Sequence, residues 1–375
     1  MCGSGNGKGQ IDTLTILYNI AATWNSGGME RALAIKANWL AAHGCKVVVA
    51  TTDQRGLPSA FEMDPSIEFR DLGVNYDSNN GASFVSKLVQ YPFKQFRHRC
   101  ALANVLQDIK PDITISMFCN EASFLPKIKD GSRKVLEIHF SRFKKLQYGR
   151  KGLWALADRW RYRQDARIAS RYDKFVVLTE EDRGYWEGLY NIEVIPNART
   201  FTFEKPSPCT EHQVIAVGRY CHQKGFDMLL EAWKRIDTAG WTLRIAGSGE
   251  DIGAVPANVI TGPSADIKQD YLNSSILAMS SRYEGLPMVL LEAQAAGLPI
   301  VSFQCKCGPK DIVEPGVTGF LVPEGDTDAL ASSLKELMDD EALRQRMGAA
   351  AFEASNRYDI ETIMQKWVNL FQGLW

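Results

Sequence analysis

The sequence predicts an α/β protein made of two doubly wound domains, each built on a parallel β-sheet. Three observations support this fold class: the chain length, the alternation of short apolar runs with amphipathic stretches, and a restart of that alternation halfway along the chain. The chain has 375 residues, enough for two domains of ordinary size. Hydrophobic residues make up 45% and charged residues 23%, which is typical of a globular protein.

The first half begins its alternation of predicted strands and helices at Leu14. Gly44, directly after the first helical stretch, is a typical end of a helix. Strand, helix and strand in this order predict a parallel sheet with crossover helices. The segments are, in chain order, LTILYNI, MERALAIKANWLAAHG, KVVVATT, DITISMF, KVLEIHF, KFVVLT and IEVIPN.

The second half repeats the alternation after a polar, proline-containing stretch at residues 201–213. We therefore predict a first domain over residues 11–205 and a second over 206–355. The last residues, 356–375, are predicted to form a helix that packs back toward the first domain. The second-half segments are VIAVGRY, GFDMLLEAWKRI, WTLRIAG, NVITG, SILAMSS, MVLLEAQAAG and PIVSF.

Charge is divided unevenly between the halves. The formal net charge is −1, but residues 1–200 carry 28 Lys and Arg against 21 acidic residues, and the remainder carries 15 against 23. Opposite balances suggest that the two domains face different partners. A general affinity of the whole chain for nucleic acid is not implied.

Several classes of protein are disfavoured by the sequence. No apolar run approaches the roughly 18 residues of a membrane span, and the start lacks the pattern of a signal peptide, so we expect a cytoplasmic protein. The eight cysteines lack metal-ligand spacing and are interpreted as reduced thiols. The glycines of the opening MCGSGNGKGQ precede the first predicted strand, where a nucleotide loop would follow one, so this segment is excluded from the fold prediction.

Ligands of doubly wound sheets bind beyond the carboxyl ends of the strands, which directs attention to two loops. The sequence NSGG, residues 25–28, follows the first strand and opens the first helix, where free backbone amides can admit a phosphate. Glycine there can also be simple steric relief. The loop GRYCHQKGFD supplies Arg219 and Lys224, two cations that can hold a pyrophosphate or be solvated surface residues.

Two carboxylates lie eight positions apart in SSRYEGLPMVLLEAQAAGLPIVSF, residues 280–303. Glu284 is predicted on a strand-end loop, and Glu292 one to two turns into the following helix, whose N-terminal amides form an anion site between them. A sugar nucleotide fits this layout, because it has hydroxyls on both sides of a diphosphate. Arg219 and Lys224 would then offset repulsion between the acids and the phosphates. The alternative is one Glu favoured by the helix dipole and one solvated Glu.

A resemblance to a known family adds to this interpretation. The motifs EGLPMVLLE, AVGRYCHQKGFDMLLEAW, LRIAGSGE, VIPNAR, CGPKDIV and GVTGFLVPEGD resemble the family 4 glycosyltransferases of the GT-B fold, especially bacterial enzymes of capsule, exopolysaccharide or glycolipid synthesis. The similarity extends from about residue 14 to the end of the chain. It implies two Rossmann-like domains facing a cleft, and transfer of a sugar from a sugar nucleotide with retention of anomeric configuration, without a metal or other cofactor.

The resemblance also implies roles for individual residues. Glu284 would bind hydroxyls of the donor hexose and Glu292 those of the ribose, while Gly27 and Gly28 would let the first domain approach the phosphates. Stabilising the charge of the leaving nucleotide would matter more than donating a proton, which agrees with the lack of a Ser-His-Asp signature. The remaining donor-binding positions are Arg219, Lys224, Gly285, Met288 and Val289.

His139 ends the predicted strand KVLEIHF and is expected to point into the cleft. In similar enzymes a histidine here touches the donor, and the alternative is a hydrogen-bonded wall of the cleft. No metal site is predicted, because the other histidines lack ligand spacing. Asp326 and Asp328 form a D-x-D sequence, but they precede a helical pattern and are interpreted as an N-cap and a first-turn acid.

Residues 142–167 combine basic and aromatic side chains, with nine Lys or Arg against two Asp. Such a segment can bind a membrane surface or nucleic acid, or be a cationic face over a core stripe of Leu153, Leu156 and Trp160. The sequence YPFKQFRHR, residues 91–99, adds a second patch. Because the first domain of the resembling family receives the acceptor, often lipid-linked, we favour an anionic membrane and expect no nucleic-acid partner.

Together these observations predict a retaining hexosyltransferase that uses a UDP-sugar. The acceptor is expected to be a lipid or lipid-linked saccharide at the inner face of the cytoplasmic membrane. The alternatives are a transferase with a soluble acceptor, a GT-B epimerase or phosphorylase, and a non-catalytic binding protein.

Overall fold

The structure, a computed structural model, describes residues 14–79, 84–147, 152–238 and 240–375. Within these residues the strands form two separate sheets, and every strand pair is parallel. The opening segment MCGSGNGKGQ lies outside the described residues. No helix of the described ranges is long and apolar enough to span a bilayer.

The first sheet has seven described strands in the order β3-β2-β1-β4-β5-β6-β7. Its central strands are runs of β-branched and aliphatic residues, buried on both faces as parallel strands covered by helices must be. The strands are β1 (Thr15–Ile20), β2 (Lys46–Thr51), β3 (Glu68–Asp71), β4 (Ile113–Ser116), β5 (Arg133–Glu137), β6 (Lys174–Val177) and β7 (Ile192–Val194).

The second sheet has six described strands in the order β10-β9-β8-β11-β12-β13. In both sheets the chain order reverses beside the first strand, β1 or β8, and such switch points are where ligands bind in open α/β sheets. The strands are β8 (Gln213–Val217), β9 (Thr242–Ala246), β10 (Val259–Gly262), β11 (Ile276–Met279), β12 (Ile300–Phe303) and β13 (Gly319–Val322).

Helices cover both faces of each sheet. Those of the first half are α1 (Gly28–Ala42), α2 (Phe84–Ile109), α3 (Lys144–Gln147), α4 (Leu153–Ala169) and α5 (Glu180–Gly184). Those of the second half are α6 (Phe226–Lys234), α7 (Ile267–Leu272), α8 (Met288–Ala295), α9 (Pro309–Ile312), α10 (Thr327–Asp339), α11 (Glu341–Ala354) and α12 (Ile360–Gln372).

The last helix, α12, packs against the first sheet. Ile363, Trp367 and Phe371 lie in the same buried cluster as Ile16 and Val47 of the first two strands. The chain therefore returns to its first half after completing the second sheet. The residue limits predicted for the domains stay predictions.

The elements that were not predicted from the sequence include β3, β13 and the long helix α2. Helix α2 runs through Pro92, a residue that normally ends or kinks a helix because it lacks a backbone donor. The predicted strands of both halves are present in the structure, and the fold class is confirmed as two parallel-sheet, Rossmann-like domains.

Candidate functional site

The N-termini of α1 and α8 face each other between the two sheets. Gly28 is the first residue of α1, and a Cβ at this position would lie 3.6 Å from the side chain of Met288, the first residue of α8. Free amides at helix N-termini attract anions because the helix dipole is positive there. The NSGG segment and the predicted anion site on α8 therefore occupy one region.

Glu292 lies on α8, is 3% exposed, and is bonded through both of its carboxylate oxygens. Arg31 of α1 donates to Oε1 at 2.8 Å, and the Tyr271 hydroxyl donates to Oε2 at 2.8 Å. Burial raises the pKa of Glu292, and the charge of Arg31 only partly opposes this. The carboxylate predicted to bind ribose thus already holds two donors, one of them from the first half of the chain.

Glu284 lies on the loop between β11 and α8, and its Oε1 is 2.7 Å from the ammonium of Lys224. Lys224 owes its position to Gly225, which has a left-handed φ of 64° and approaches so closely that a Cβ would lie 2.1 Å from the carbonyl oxygen of Ser280. A side chain at residue 225 would push the Lys224 loop away from the end of β11. The structure thus pairs one predicted hexose ligand with one predicted phosphate ligand.

Arg219 is exposed, and its charge acts on Glu30 of the first half of the chain. Burial raises the pKa of Glu30, in the first turn of α1, while the charges of Arg219 and Lys144 act in the opposite direction. Neither a hydrogen bond nor an ion pair joins Arg219 to another residue in the part of the chain that the structure describes. Its guanidinium is available to an anion beside the two helix N-termini.

At Gly285 the second half of the chain comes into close contact with the backbone that follows β5. A Cβ at this residue would lie 2.7 Å from the carbonyl oxygen of His139 and 2.9 Å from the Cα of Phe140. This position therefore admits glycine alone without movement of one backbone. The contact fixes the loop that carries Glu284 against the loop that carries His139.

The His139 imidazole is 3% exposed, and its Nε2 lies 2.9 Å from Oε1 of Glu137. The same oxygen is ion-paired with the ammonium of Lys36 on α1. His139 therefore stands at the edge of the candidate site and is backed by a buried pair. The predicted donor contact and the alternative of a hydrogen-bonded wall both stay open.

The structure brings together nearly all the residues predicted for the site, on three loops and two helix N-termini. Sequence analysis missed their partners Arg31, Lys36, Glu137 and Tyr271. A charged residue inside the apolar run KVLEIHF, and a lysine inside the apolar helical stretch ALAIKANWL, were visible signals for two of them. Nothing in the local sequence distinguishes Arg31 or Tyr271.

No group of three or more His, Cys, Asp or Glu in the described ranges could hold a metal ion. Asp326 caps α10 by accepting from the amide of Ala329 at 2.9 Å, which confirms the capping interpretation. Asp328 lies in the first turn of α10 and is ion-paired with Arg235.

The exposed side chains of α4 contradict one alternative considered for this helix, the core stripe. Leu156 and Trp160 are 61% and 62% exposed, so they do not form a core stripe; the buried side chains of this helix include Asp158 and Asp165. The expectation for Leu153 concerns a side chain outside the described ones. Residues 148–151 of the predicted patch also lie outside the described residues.

The exposed face of α4 carries apolar and cationic side chains at helical spacing. We call this set the α4 stripe; it consists of Leu156, Arg159, Trp160, Arg163 and Arg167. Helix α2 lies nearby, since the charge of Arg161 opposes the rise that burial causes in the pKa of Tyr91. It exposes Phe93 and Phe96, so the two predicted patches share one domain surface.

Known proteins resemble this chain over different lengths. The amylovoran biosynthesis glycosyltransferase AmsD of Erwinia amylovora is 34% identical over 215 residues, covering 52% of this chain and 61% of AmsD. An α-1,4-N-acetylgalactosaminyltransferase of Campylobacter jejuni, named for an undecaprenol-linked acceptor, is 26% identical over 94% of this chain and 96% of its own. The first three curated relatives are matched over 24% to 61% of their own lengths.

A solved structure shares the fold of nearly the whole chain. Anabaena HepE in complex with UDP-glucose superposes with a TM-score of 0.68 at 18% identity, covering 96% of this chain and all of HepE. Two family models also match: Glycosyltransferase Family 4 over residues 26–199 and Glycosyl transferases group 1 over residues 197–354. Because the two matches run without a break from residue 26 to residue 354, the chain belongs to the family 4 glycosyltransferases of the GT-B fold.

Proposed function

We propose that the protein is a retaining glycosyltransferase that moves a hexose from a UDP-sugar to a hydroxyl of a lipid-linked saccharide. The observation that carries the proposal is the placement of two buried carboxylates, Glu284 and Glu292, around the N-terminus of α8, with Lys224 and Arg219 beside it. This arrangement matches hydroxyls on both sides of a diphosphate. HepE, of the same fold, was solved with UDP-glucose bound.

The chemistry follows from where charge develops. As the bond between the anomeric carbon and the UDP oxygen breaks, negative charge grows on the β-phosphate. Lys224, Arg219 and the amides of Met288 and Val289 would stabilise it more strongly than they stabilise the ground state. No metal or other cofactor is part of the proposal, because the two cations and the helix N-terminus supply the positive charge.

Glu284 would orient the hexose, so that the acceptor hydroxyl attacks the same face from which UDP departs and passes its proton to the departing phosphate. When a hexose hydroxyl approaches Glu284, Lys224 can turn toward the phosphate, since its ammonium sits on a flexible four-carbon stem. Gly27 and Gly28 leave room for the phosphates beside α1. Retention of anomeric configuration would follow from this same-face geometry.

The acceptor proposal rests on the surface of the first domain and on one relative. The α4 stripe and the exposed aromatic rings of α2 suit the headgroup region of an anionic bilayer. The Campylobacter jejuni relative is named for an undecaprenol-linked saccharide. We therefore place the work of the protein at the inner face of the cytoplasmic membrane, with the acceptor lipid left in the bilayer.

A panel of UDP- and GDP-hexoses in a thermal-shift assay tests the donor. At a hundred times its Kd, the right donor stabilises the folded state by about 2.7 kcal/mol. Transfer is then measured with a polyprenyl-diphosphate saccharide in anionic micelles. Transfer to water alone would indicate a hydrolase or epimerase, and a lysine-linked pyridoxal phosphate chromophore would indicate a phosphorylase.

A further inference from the structure

A buried ion pair stands behind His139, outside the donor site described above. Lys36 of α1 and Glu137 of β5 have side chains that are 4% and 1% exposed. The Lys36 ammonium also lies 4.5 Å from the ring centroid of Trp367 on α12 and 5.7 Å from that of Tyr18 on β1. Removing two charges from water costs several kcal/mol per ion, so such a pair is weak evidence for stability and invites a functional explanation.

Lys36, Glu137 and the imidazole of His139 lie on the same face of the first sheet. Val135 packs in the cluster that contains α1 and α12, whereas Leu136 and Ile138 pack on the opposite face of the sheet. Because side chains alternate along a strand, Glu137 shares the face of Val135, and His139, two residues beyond the end of β5, lies beside it with Nε2 2.9 Å from Oε1. Lys36 on α1 therefore reaches the same carboxylate as the imidazole.

The two ring nitrogens of His139 have different surroundings. Nε2 is 2.9 Å from Oε1 of Glu137, although its N–H is not aligned with that oxygen, and a small ring rotation would align it. Nδ1 is buried and has no hydrogen-bond partner among the described residues. His139 contacts Gly285 through its backbone carbonyl, at the loop that carries Glu284, and its buried Nδ1 is a polar atom for which the described residues supply no partner.

We propose that Glu137, kept ionised by Lys36, is a positioning residue that holds the proton of His139 on Nε2 and so presents Nδ1 as an acceptor to a hydroxyl of the donor hexose. This inference rests on the proposed function and identifies a residue that would position His139 for it. The carboxylate of Glu284 and the lone pair of Nδ1 would accept from two different hydroxyls, so the pair would help to select the hexose.

Charges around the carboxylate support its ionised state. Burial by itself would raise the pKa of Glu137, but the opposing causes, of which the charge of Lys36 is the largest, hold the pKa below its ordinary value. Among the described residues the Tyr18 hydroxyl also faces this carboxylate, and its pKa is raised by burial and by Glu137. Glu137 therefore remains an anion over the whole range in which transfer would be measured.

Two double variants separate positioning from packing. K36M/E137Q removes both charges but keeps an oxygen that can accept from Nε2, whereas K36M/E137L removes the acceptor as well. Lys134 and Asp130 form a matched control, because this buried pair lies at the opposite end of β5 and can be replaced as K134M/D130N. Each variant is assayed for UDP binding by calorimetry, for hexose transfer, and for the tautomer of His139 by imidazole ¹⁵N NMR, with H139N identifying the resonances among five histidines.

In the wild type we expect the Nε2–H tautomer. K36M/E137L should mix the tautomers and lower kcat by about tenfold or more, as the loss of a hydrogen bond to a charged group does, while the Kd of UDP is unchanged. K36M/E137Q should retain more of the wild-type tautomer and kcat, and the control pair should leave both unchanged. Equal losses in the two Glu137 double variants, or a wild-type tautomer and kcat in K36M/E137L, would overturn the inference. A wild type that binds no UDP would contradict the proposed function instead, since the tautomer is measured without donor.

Discussion

Arg31 of α1 donates a hydrogen bond to Glu292 of α8, and the 2.8 Å between Nη1 and Oε1 spans the space between the two sheets. Tyr271 engages the other oxygen of the same carboxylate. A ribose diol that binds Glu292 must therefore share the carboxylate with Arg31 or displace it. The contact links nucleotide binding to the relative position of the two halves.

Arg31→Met should make UDP binding more sensitive to acid. Burial already raises the pKa of Glu292, and without Arg31 the carboxylate would take up its proton at a still higher pH. Because the proposed ribose contact needs the ionised carboxylate, UDP affinity should fall as the pH decreases, and this fall should begin at a higher pH in the variant. Calorimetry from about pH 5 to pH 8 measures it. Identical pH profiles for wild type and variant would contradict this role of Arg31.

Glu121 should make the folded protein less stable as the pH rises. Burial raises the pKa of this side chain to about 7 from an ordinary value of 4.5, although the Ser116 hydroxyl donates to it at 2.6 Å. The folded state therefore binds a proton more tightly than the unfolded chain, so the free energy of unfolding decreases between these two pH values. The decrease is on the order of 3 kcal/mol.

Glu121→Gln removes this charge and tests the assignment. The variant should unfold at a higher temperature than the wild type near pH 8 and lose part of the pH dependence. The exposed Glu204→Gln is the matched control and should behave like the wild type. A wild-type melting temperature that stays level from about pH 5 to pH 8 would show that Glu121 is ionised throughout.

The α4 stripe should bind anionic membranes. Each basic residue near an anionic surface contributes about 1 kcal/mol, and Trp160 adds an aromatic ring suited to the headgroup level. Sedimentation with phosphatidylglycerol vesicles should decrease as salt increases. It should also decrease when Trp160, Arg159 and Arg163 are replaced by Ser, Glu and Glu. The control Arg346→Glu, an exposed change on α11, should sediment like the wild type; equal sedimentation of the stripe variant would favour a soluble acceptor.

Transfer should survive removal of divalent cations. The proposed donor site supplies its own positive charge through Lys224, Arg219 and the N-terminus of α8. Activity is compared before and after incubation with EDTA, with added Mn²⁺ as the reciprocal test. Loss of transfer on chelation and its recovery with Mn²⁺ would show that transfer requires a divalent cation, and Asp326 and Asp328 would then be tested as its ligands.

The parts of the structure that depend on local sequence were predictable. Apolar runs predicted the central strands, and the spacing of Glu284 and Glu292 predicted a loop acid and a helix acid. The Arg31–Glu292 contact joins residues 261 positions apart and the Lys36–Glu137 pair residues 101 apart, so neither could follow from local pattern. Such contacts depend on how helices are placed after the whole chain has folded.

One helix was not predicted, and one alternative for the buried face of another was wrong, each for a physical reason. Helix α2 contains Pro92, whose missing amide argues against a helix unless tertiary packing compensates for it. On α4, the apolar Leu156 and Trp160 are exposed while Asp158 and Asp165 are buried. Hydrophobicity alone would bury the face of Leu156 and Trp160 and expose the opposite one. The core stripe considered for this helix was wrong for that reason.

The most direct test of the account is calorimetric titration of the wild type, Lys224→Ala and Arg219→Ala with UDP and with uridine. We predict that the wild type binds UDP more tightly than uridine, because two cations and a helix N-terminus meet the phosphates. Each variant should lose about tenfold or more of its UDP affinity and almost none of its uridine affinity. Equal affinity of the wild type for UDP and uridine, or equal losses for both ligands in the variants, would contradict a diphosphate site between α1 and α8.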